Sequence, residues 1–114
     1  MNIPVINLEK GMPYAEDAVR TMNAALRLQR SAGSKAVKLI HGYGSSGTGG
    51  RIKTEVHRAL EEKKRRGEIR EYIKGEEFSL FYAPCRKMLD TLPQLQNDKD
   101  YLRCNQGITI VFFK

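Results

Sequence analysis

The sequence predicts an α/β fold in which helices pack on a mostly parallel four-stranded sheet. Short apolar runs alternate with segments of helical periodicity, a pattern typical of strand–helix units that pair in parallel. The chain has 114 residues, of which 40% are hydrophobic, which suits one core of modest size. We therefore expect a single domain over residues 1–114, built as a two-layer sandwich in the order β-α-β-α-β-(α)-β.

The N-terminal half predicts two strands separated by one helix. Residues 3–8 form a short apolar run that predicts the first strand. Apolar residues then recur at helical spacing from Ala15, and Gly33 is suited to end that helix. The apolar and partly β-branched run 36–40 predicts a buried second strand.

The C-terminal half predicts a second helix and two further strands. Helical spacing resumes at Ile52, in a helix that Gly67 is suited to end. Alternating apolar and polar residues over 68–74 predict the third strand. Residues 76–106 are the least regular part, with a short helix predicted to begin at Pro84. Residues 107–113 are almost continuously apolar and predict the final strand.

A glycine-rich turn between the second strand and the second helix is the strongest functional signal. Ligands of α/β domains bind where a strand ends and a helix begins, and helix N-termini present unpaired amides to phosphate. Glycines let a ligand approach the backbone, and neighbouring hydroxyl and basic groups add donors. The candidate nucleic-acid-binding or phosphate-binding residues are Lys10, Gly42, Tyr43, Gly44, Ser45, Ser46, Gly47, Thr48, Gly49, Gly50, Arg51 and Lys53.

Two familiar phosphate motifs fit this turn incompletely. Gly42, Gly44 and Gly47 have the spacing of the dinucleotide fingerprint, but they follow the second strand of a short chain. The loop of nucleotide hydrolases requires Lys followed by Ser or Thr, where this chain has Arg51 and Ile52. A small-molecule phosphate or nucleotide binder that uses the turn alone stays open as an alternative.

Two residues are candidates for acid–base chemistry on a phosphodiester. His41 ends the second strand, where an imidazole can donate to a phosphate or move a proton. Glu9, at the end of the first strand, is the best-placed carboxylate partner. His57 is expected to be a surface or boundary residue. Neither an acidic cluster nor a Cys/His spacing indicates a metal site, so we predict no metal and no cofactor.

The charge balance favours an anionic partner, with nucleic acid first. Twenty Lys and Arg oppose thirteen Asp and Glu, for a net charge of +7. The basic run 63–66 could instead contact an acidic protein. No apolar stretch approaches the ~20 residues that cross a bilayer, and the N-terminus lacks a secretory pattern. Because neither of the two cysteines has a CxxC or metal-ligand spacing, we expect free thiols in a cytoplasmic protein without membrane contacts.

Three stretches resemble the Smr domain, a family named for small MutS-related proteins. Residues 38–44 look like its strand followed by His-Gly-x-Gly, residues 107–111 like its final strand, and residues 6–28 like its first strand, turn and helix. The resemblance implies a fold similar to the C-terminal domain of bacterial translation initiation factor three. It also implies nucleic-acid binding and, in several members, DNA-nicking or RNA-cleaving endonuclease activity.

The first motif departs from the family pattern, Leu-Asp-x-His-Gly. Asn7 stands in place of the aspartate, and Glu9 and Lys10 follow where the family has histidine. The His-Gly-x-Gly pattern of the family corresponds directly to His41, Gly42 and Gly44. We expect binding of DNA or RNA, and leave open whether the chain is an endonuclease, metal-independent or metal-assisted, or a non-catalytic interaction module. The oligomeric state is not predicted.

Overall fold

The computed structural model describes residues 3–43 and 47–114, with the backbone alone for residues 47–50. Within these residues the chain forms strands β1 to β4, helices α1 to α3 and two 3-10 turns, Gly75–Glu77 and Pro93–Asn97. The strands and helices are, in chain order, β1 Val5–Asn7, α1 Ala15–Ser31, β2 Ala36–Ile40, α2 Gly47–Arg65, β3 Glu71–Lys74, α3 Ala83–Thr91 and β4 Ile108–Phe112.

Both long helices end as the sequence predicts. Gly33 follows α1 with φ +85°, and Gly67 follows α2 with φ +75°, a conformation in which a Cβ is disfavoured. The amide of Ser34 then donates to the Gln29 carbonyl at 3.0 Å, closing the six-residue loop of a Schellman cap. The caps turn the chain back toward β2 and β3, so that the two helices lie side by side on one face of the sheet.

The four strands form one mixed sheet in the order β1-β2-β4-β3. β1 pairs parallel with β2, whereas β4 runs antiparallel to both β2 and β3. The predicted α/β class is confirmed, but the mostly parallel pairing is wrong. Three strands do point the same way, yet residues 75–107 return the chain to the edge where β3 ended. β4 therefore enters the sheet in reverse, between β2 and β3.

The sheet has an apolar core on each face, so the domain has three layers rather than the predicted two. Val37, Leu39 and Val111 pack against α1 and α2, while the alternate residues Ile108 and Ile110 pack on the other side. That second side is covered by α3 and its flanking segments through Phe78, Cys85, Met88, Leu89, Leu92 and Leu95. Coverage on both faces explains why all five residues of β4 are buried.

Candidate functional site

The ends of three strands and the start of a fourth meet at one edge of the sheet. β1, β2 and β3 finish there, and β4 begins there. The pairing continues beyond the strands, because the amides of His41 and Gly42 both donate to the Gly107 carbonyl, at 3.0 and 3.1 Å. This strand-end edge holds the first residues of the predicted turn.

Asn7 shapes the first turn at this edge. Its side-chain oxygen accepts the amides of Glu9 and Lys10 at 3.0 and 3.1 Å. This is an Asx turn, in which a short polar side chain replaces a backbone acceptor. Asn7 thus has a structural role: it holds the backbone of the turn in which Glu9 and Lys10 lie.

Glu9 and Gly42, two predicted site residues, lie in contact. Gly42 has φ +84°, and a Cβ built at this position would collide with a carboxylate oxygen of Glu9. The missing side chain at residue 42 therefore makes room for the Glu9 carboxylate. Tyr43 follows with 66% of its surface exposed. Lys10 is also exposed.

His41 is completely buried, whereas a histidine that acts as general acid or base on a phosphodiester must be able to reach the substrate. Its Nδ1 lies 2.8 Å from the Gly42 carbonyl and its Nε2 lies 2.8 Å from Thr109 Oγ1. A carbonyl can only accept, so Nδ1 carries the proton and Nε2 accepts from the Thr109 hydroxyl. Burial lowers the pKa of His41 below its usual value, which favours this neutral form.

His57, expected at the surface or boundary, is half-buried and belongs to the same hydrogen-bond network. Its Nε2 lies 2.8 Å from Thr109 Oγ1, and its ring meets the His41 ring edge-on at 5.2 Å. The one hydroxyl proton of Thr109 goes to His41, so His57 donates to Thr109. Burial lowers the pKa of His57 to about 3, with smaller lowering effects from electrostatic interaction with His41, Lys74 and Lys53.

The histidine network, defined as His41, Thr109 and His57, ties α2 to β4 and to the start of the turn. Sequence reasoning missed two of its members. The available signal was Thr109, a polar residue inside the apolar run 108–113. A buried hydroxyl in a central strand needs a partner, and few side chains offer one at that depth.

The two predicted cations of α2 point to different places. Lys53 is mostly buried and lies 3.8 Å from Glu76, so its charge is engaged within the domain. Arg51 is exposed and lines a cleft of about 780 Å³ between α1 and α2. Of these two cations, Arg51 is exposed and Lys53 is not.

Part of the predicted turn lies outside the described residues. Gly44, Ser45 and Ser46 lie outside the described residues, and Gly47, Thr48, Gly49 and Gly50 are described as the backbone of the first turn of α2. The predicted order of strand, turn and helix is found, but the helix begins at Gly47, so the last four residues of the predicted turn belong to the helix.

A second cleft, of about 230 Å³, opens at the strand-end edge on the face opposite α1 and α2. We call it the strand-end cleft. Glu9, Gly42 and Tyr43 line it together with Val5, Lys38, Ile40, Lys99, Asp100, Asn105, Gly107 and Ile108. Three of the predicted site residues therefore share one cavity.

Lys38 forms the buried side of this cleft. Its ammonium lies 2.6 Å from Asp98 and 2.5 Å from Asp100. Burial lowers the pKa of Lys38, but the hydrogen bonds and charges of Asp100 and Asp98 outweigh it, and the net pKa lies above its usual value. Asn105 donates to the other oxygen of Asp100 at 2.8 Å and accepts the Gly107 amide at 2.9 Å.

The basic run 63–66 at the end of α2 is neutralised locally. Lys63 pairs with Glu68 at 3.6 Å and Lys64 with Glu71 at 2.9 Å, while Arg65 and Arg66 both pair with Glu62. Exposed pairs of this kind are weak. They nevertheless make this run a solvated helix end, in contrast to the cations at the strand-end edge.

Over residues 3–43 and 47–114, no three His, Cys, Asp or Glu side chains group as metal ligands. None of the described helices combines the length and apolar character needed to cross a bilayer.

The family model of the Smr domain matches residues 10–77. The match contains α1, β2, α2 and β3, and with them His41, Gly42 and the glycine-rich turn. β1, α3 and β4 lie outside it. No curated protein and no solved structure matches the chain, so the similarity to translation initiation factor three stays a prediction. Because the match spans more than half of the sequence, the protein belongs to the Smr domain family.

Proposed function

We propose that this protein binds nucleic acid at the strand-end edge, through the glycine-rich turn and the exposed side chains around it. The observation that carries the proposal is the Smr family match, because the matched residues enclose the strand, turn and helix N-terminus. Smr domains are generally associated with nucleic-acid binding or endonuclease activity. The net charge of +7 supports a polyanionic partner.

The distribution of charge supports the same edge rather than the far end of α2. Lys10, Arg51 and Lys99 are exposed, and none has an ion-pair partner among residues 3–43 and 47–114. The cations of 63–66 all have carboxylate partners. Phosphates bind most favourably to cations that need not break an existing pair. Tyr43 adds an exposed ring on which an unpaired base can stack.

The burial of His41 supports binding rather than cleavage by this residue. A general acid must reach the scissile phosphate within hydrogen-bond distance, directly or through one water. Both nitrogens of His41 are already bonded inside the domain. We assign His41 a positioning role: its Nδ1–H holds the Gly42 carbonyl, which orients the peptide that begins the turn.

Fluorescence anisotropy with labelled single-stranded and double-stranded DNA and RNA tests the proposal. We expect binding at about 50 mM salt that weakens steeply toward about 200 mM, because phosphate contacts release counterions. Failure of all four nucleic acids to bind at about 50 mM salt contradicts the proposal.

Two arginines on α2 provide a matched pair for this measurement. Arg51→Ala removes an exposed cation near the turn, and Arg65→Ala removes one from the opposite end of the same helix. We expect Arg51→Ala to weaken binding several-fold and to lower the salt slope by about one, since each phosphate contact contributes about that much. Arg65→Ala should leave affinity within about twofold. Equal losses in both variants would place the interface elsewhere.

Cleavage is tested separately with supercoiled plasmid and structured RNA. We expect wild-type protein to leave both substrates intact, with Mg²⁺ and with EDTA, because His41 does not reach the surface. Cleavage of either substrate by wild-type protein, absent from a folded His41→Asn variant, would contradict the assignment of this site to binding alone.

A further inference from the structure

The strand-end cleft has the size of a site for a single flat ring system. Its volume of about 230 Å³ lies below the roughly 300–1,000 Å³ typical of pockets for drug-sized ligands. Val5, Ile40 and Ile108 supply apolar wall. A cleft with apolar walls and polar groups at its rim suits a planar heteroaromatic ring, such as a nucleobase.

The polar groups on the buried side of the cleft are already satisfied by one another. Lys38 is held by two aspartates, and Asn105 uses its amide nitrogen on Asp100 and its oxygen on Gly107. A ligand therefore gains little from them. They form a rigid frame that fixes the shape of the cleft.

Three lining groups stay available to a ligand within the described part of the chain. The Glu9 carboxylate, the Lys99 ammonium and the Tyr43 phenol are exposed, and none has a side-chain hydrogen bond or ion pair there. Glu9 can only accept hydrogen bonds, and its two oxygens suit two parallel donors. Lys99 suits a phosphate, and Tyr43 offers a stacking face at the rim.

We propose that the strand-end cleft binds one unstacked guanine of a single-stranded nucleic acid, with the Glu9 carboxylate accepting its N1–H and N2–H. Guanine is the base whose pairing edge carries two adjacent N–H donors. Adenine, cytosine and uracil each place an acceptor beside a donor, so one carboxylate oxygen would face a lone pair. The inference rests on the proposed function, because the base reaches the cleft as part of a bound strand.

Gly42 couples this base site to the glycine-rich turn. Its lack of a Cβ admits the Glu9 carboxylate to the cleft, and its own carbonyl is held by His41. A strand whose phosphates contact the turn can therefore place one base in the cleft on the opposite side of Gly42. Base contacts then add sequence preference to the phosphate contacts.

The test compares labelled 12-nucleotide oligouridines that carry one central guanosine, inosine or adenosine. Fluorescence anisotropy at about 50 mM salt should show guanosine bound about tenfold more tightly than adenosine, the scale of a bidentate base contact. Inosine, which lacks the N2 amine, should fall between them. Equal affinity for all three oligonucleotides overturns the base site while leaving nucleic-acid binding intact.

Two matched carboxylate substitutions test which residue recognises the base. Glu9→Gln keeps the size of the side chain but replaces one acceptor by a donor, and should bring the guanosine-to-adenosine ratio near one. Asp90→Asn makes the same charge change on the exposed face of α3, away from both clefts, and should keep the ratio. A ratio that Glu9→Gln preserves, with circular dichroism showing a folded protein, overturns the inference. Loss of binding to every oligonucleotide by wild type overturns the proposed function as well.

Discussion

Two buried polar networks flank the strand-end edge, one on each face of the sheet, and they differ in charge. Under α2 the histidine network joins His41, Thr109 and His57 without a formal charge. On the opposite face Lys38 lies between Asp98 and Asp100, which we call the lysine network. The histidine network ties α2, which lies inside the family match, to the start of the turn. The lysine network ties the segment between β3 and β4, most of which lies outside the match, to β2.

The difference shows that the partners of a buried titratable group decide whether it is charged or neutral. The imidazoles have no carboxylate in direct contact within the described residues, so burial lowers their pKa values and keeps them neutral. The ammonium of Lys38 is as deeply buried, but two carboxylates keep it charged. Removing one member of the histidine network leaves neutral polar groups without a partner. Removing one member of the lysine network leaves a buried charge without compensation.

The largest effect should come from breaking the lysine network. Lys38→Met leaves Asp98 and Asp100 facing each other without a cation, and should lower the free energy of unfolding by about 3–5 kcal/mol. Urea unfolding followed by circular dichroism measures the change. Lys35→Met, an exposed position next to the same strand, should stay within about 0.5 kcal/mol. Similar losses in both variants would mean that the ion pairs contribute little.

Breaking the histidine network should cost less. Thr109→Val keeps the volume of the side chain but removes the hydroxyl that joins the two rings. The two ring nitrogens that bonded this hydroxyl then lack a partner, which should lower the free energy of unfolding by about 1–3 kcal/mol. Thr21→Val, on the exposed side of α1, is the matched control and should be near neutral. A loss as large as that of Lys38→Met would remove the distinction between the networks.

Mild acid should weaken the histidine network before the lysine network. The folded protein holds the pKa of His57 at about 3, and unfolding returns it to about 6.5. The unfolded chain therefore binds more protons between these pH values, and stability falls as pH drops below about 6.5. Asp100, whose pKa is lowered by Asn105 and Lys38 despite burial, adds a loss only near and below pH 4.

Urea unfolding at pH 7 and pH 5 isolates the histidine contribution. We expect a loss of about 1–2 kcal/mol, reduced from the full linkage value because His57 is partly exposed. His57→Gln should show a smaller difference between the two pH values. An identical difference in wild type and His57→Gln would mean that this imidazole does not titrate as the network requires.

The smallest effect belongs to charges outside both networks. Arg65→Ala removes a surface partner of Glu62, and the free energy of unfolding should change by less than about 0.5 kcal/mol. The same urea titration measures it. A loss above about 1 kcal/mol would show that the end of α2 contributes more than solvated pairs do.

Much of the local structure was predictable from sequence, because it depends on neighbouring residues. The bounds of β2 follow from one apolar run, and Gly33 and Gly67 end their helices because both positions require positive φ. The sequence predicted Glu9 as a partner of His41; the structure brings its carboxylate to Gly42 instead, at the edge where the parallel strands end. The burial of His41 was not predictable, because it depends on Thr109, 68 residues away.

The sequence by itself determined the α/β class, the helix ends and the glycine-rich step from β2 to α2, since each is encoded by local spacing. The tertiary structure alone decided the direction of β4, the third layer and the two networks. Strand reversal depends on where residues 75–107 return the chain, and a segment without strong periodicity does not encode that path. Burial and pairing of His41, His57 and Lys38 then follow from which side chains that path brings together.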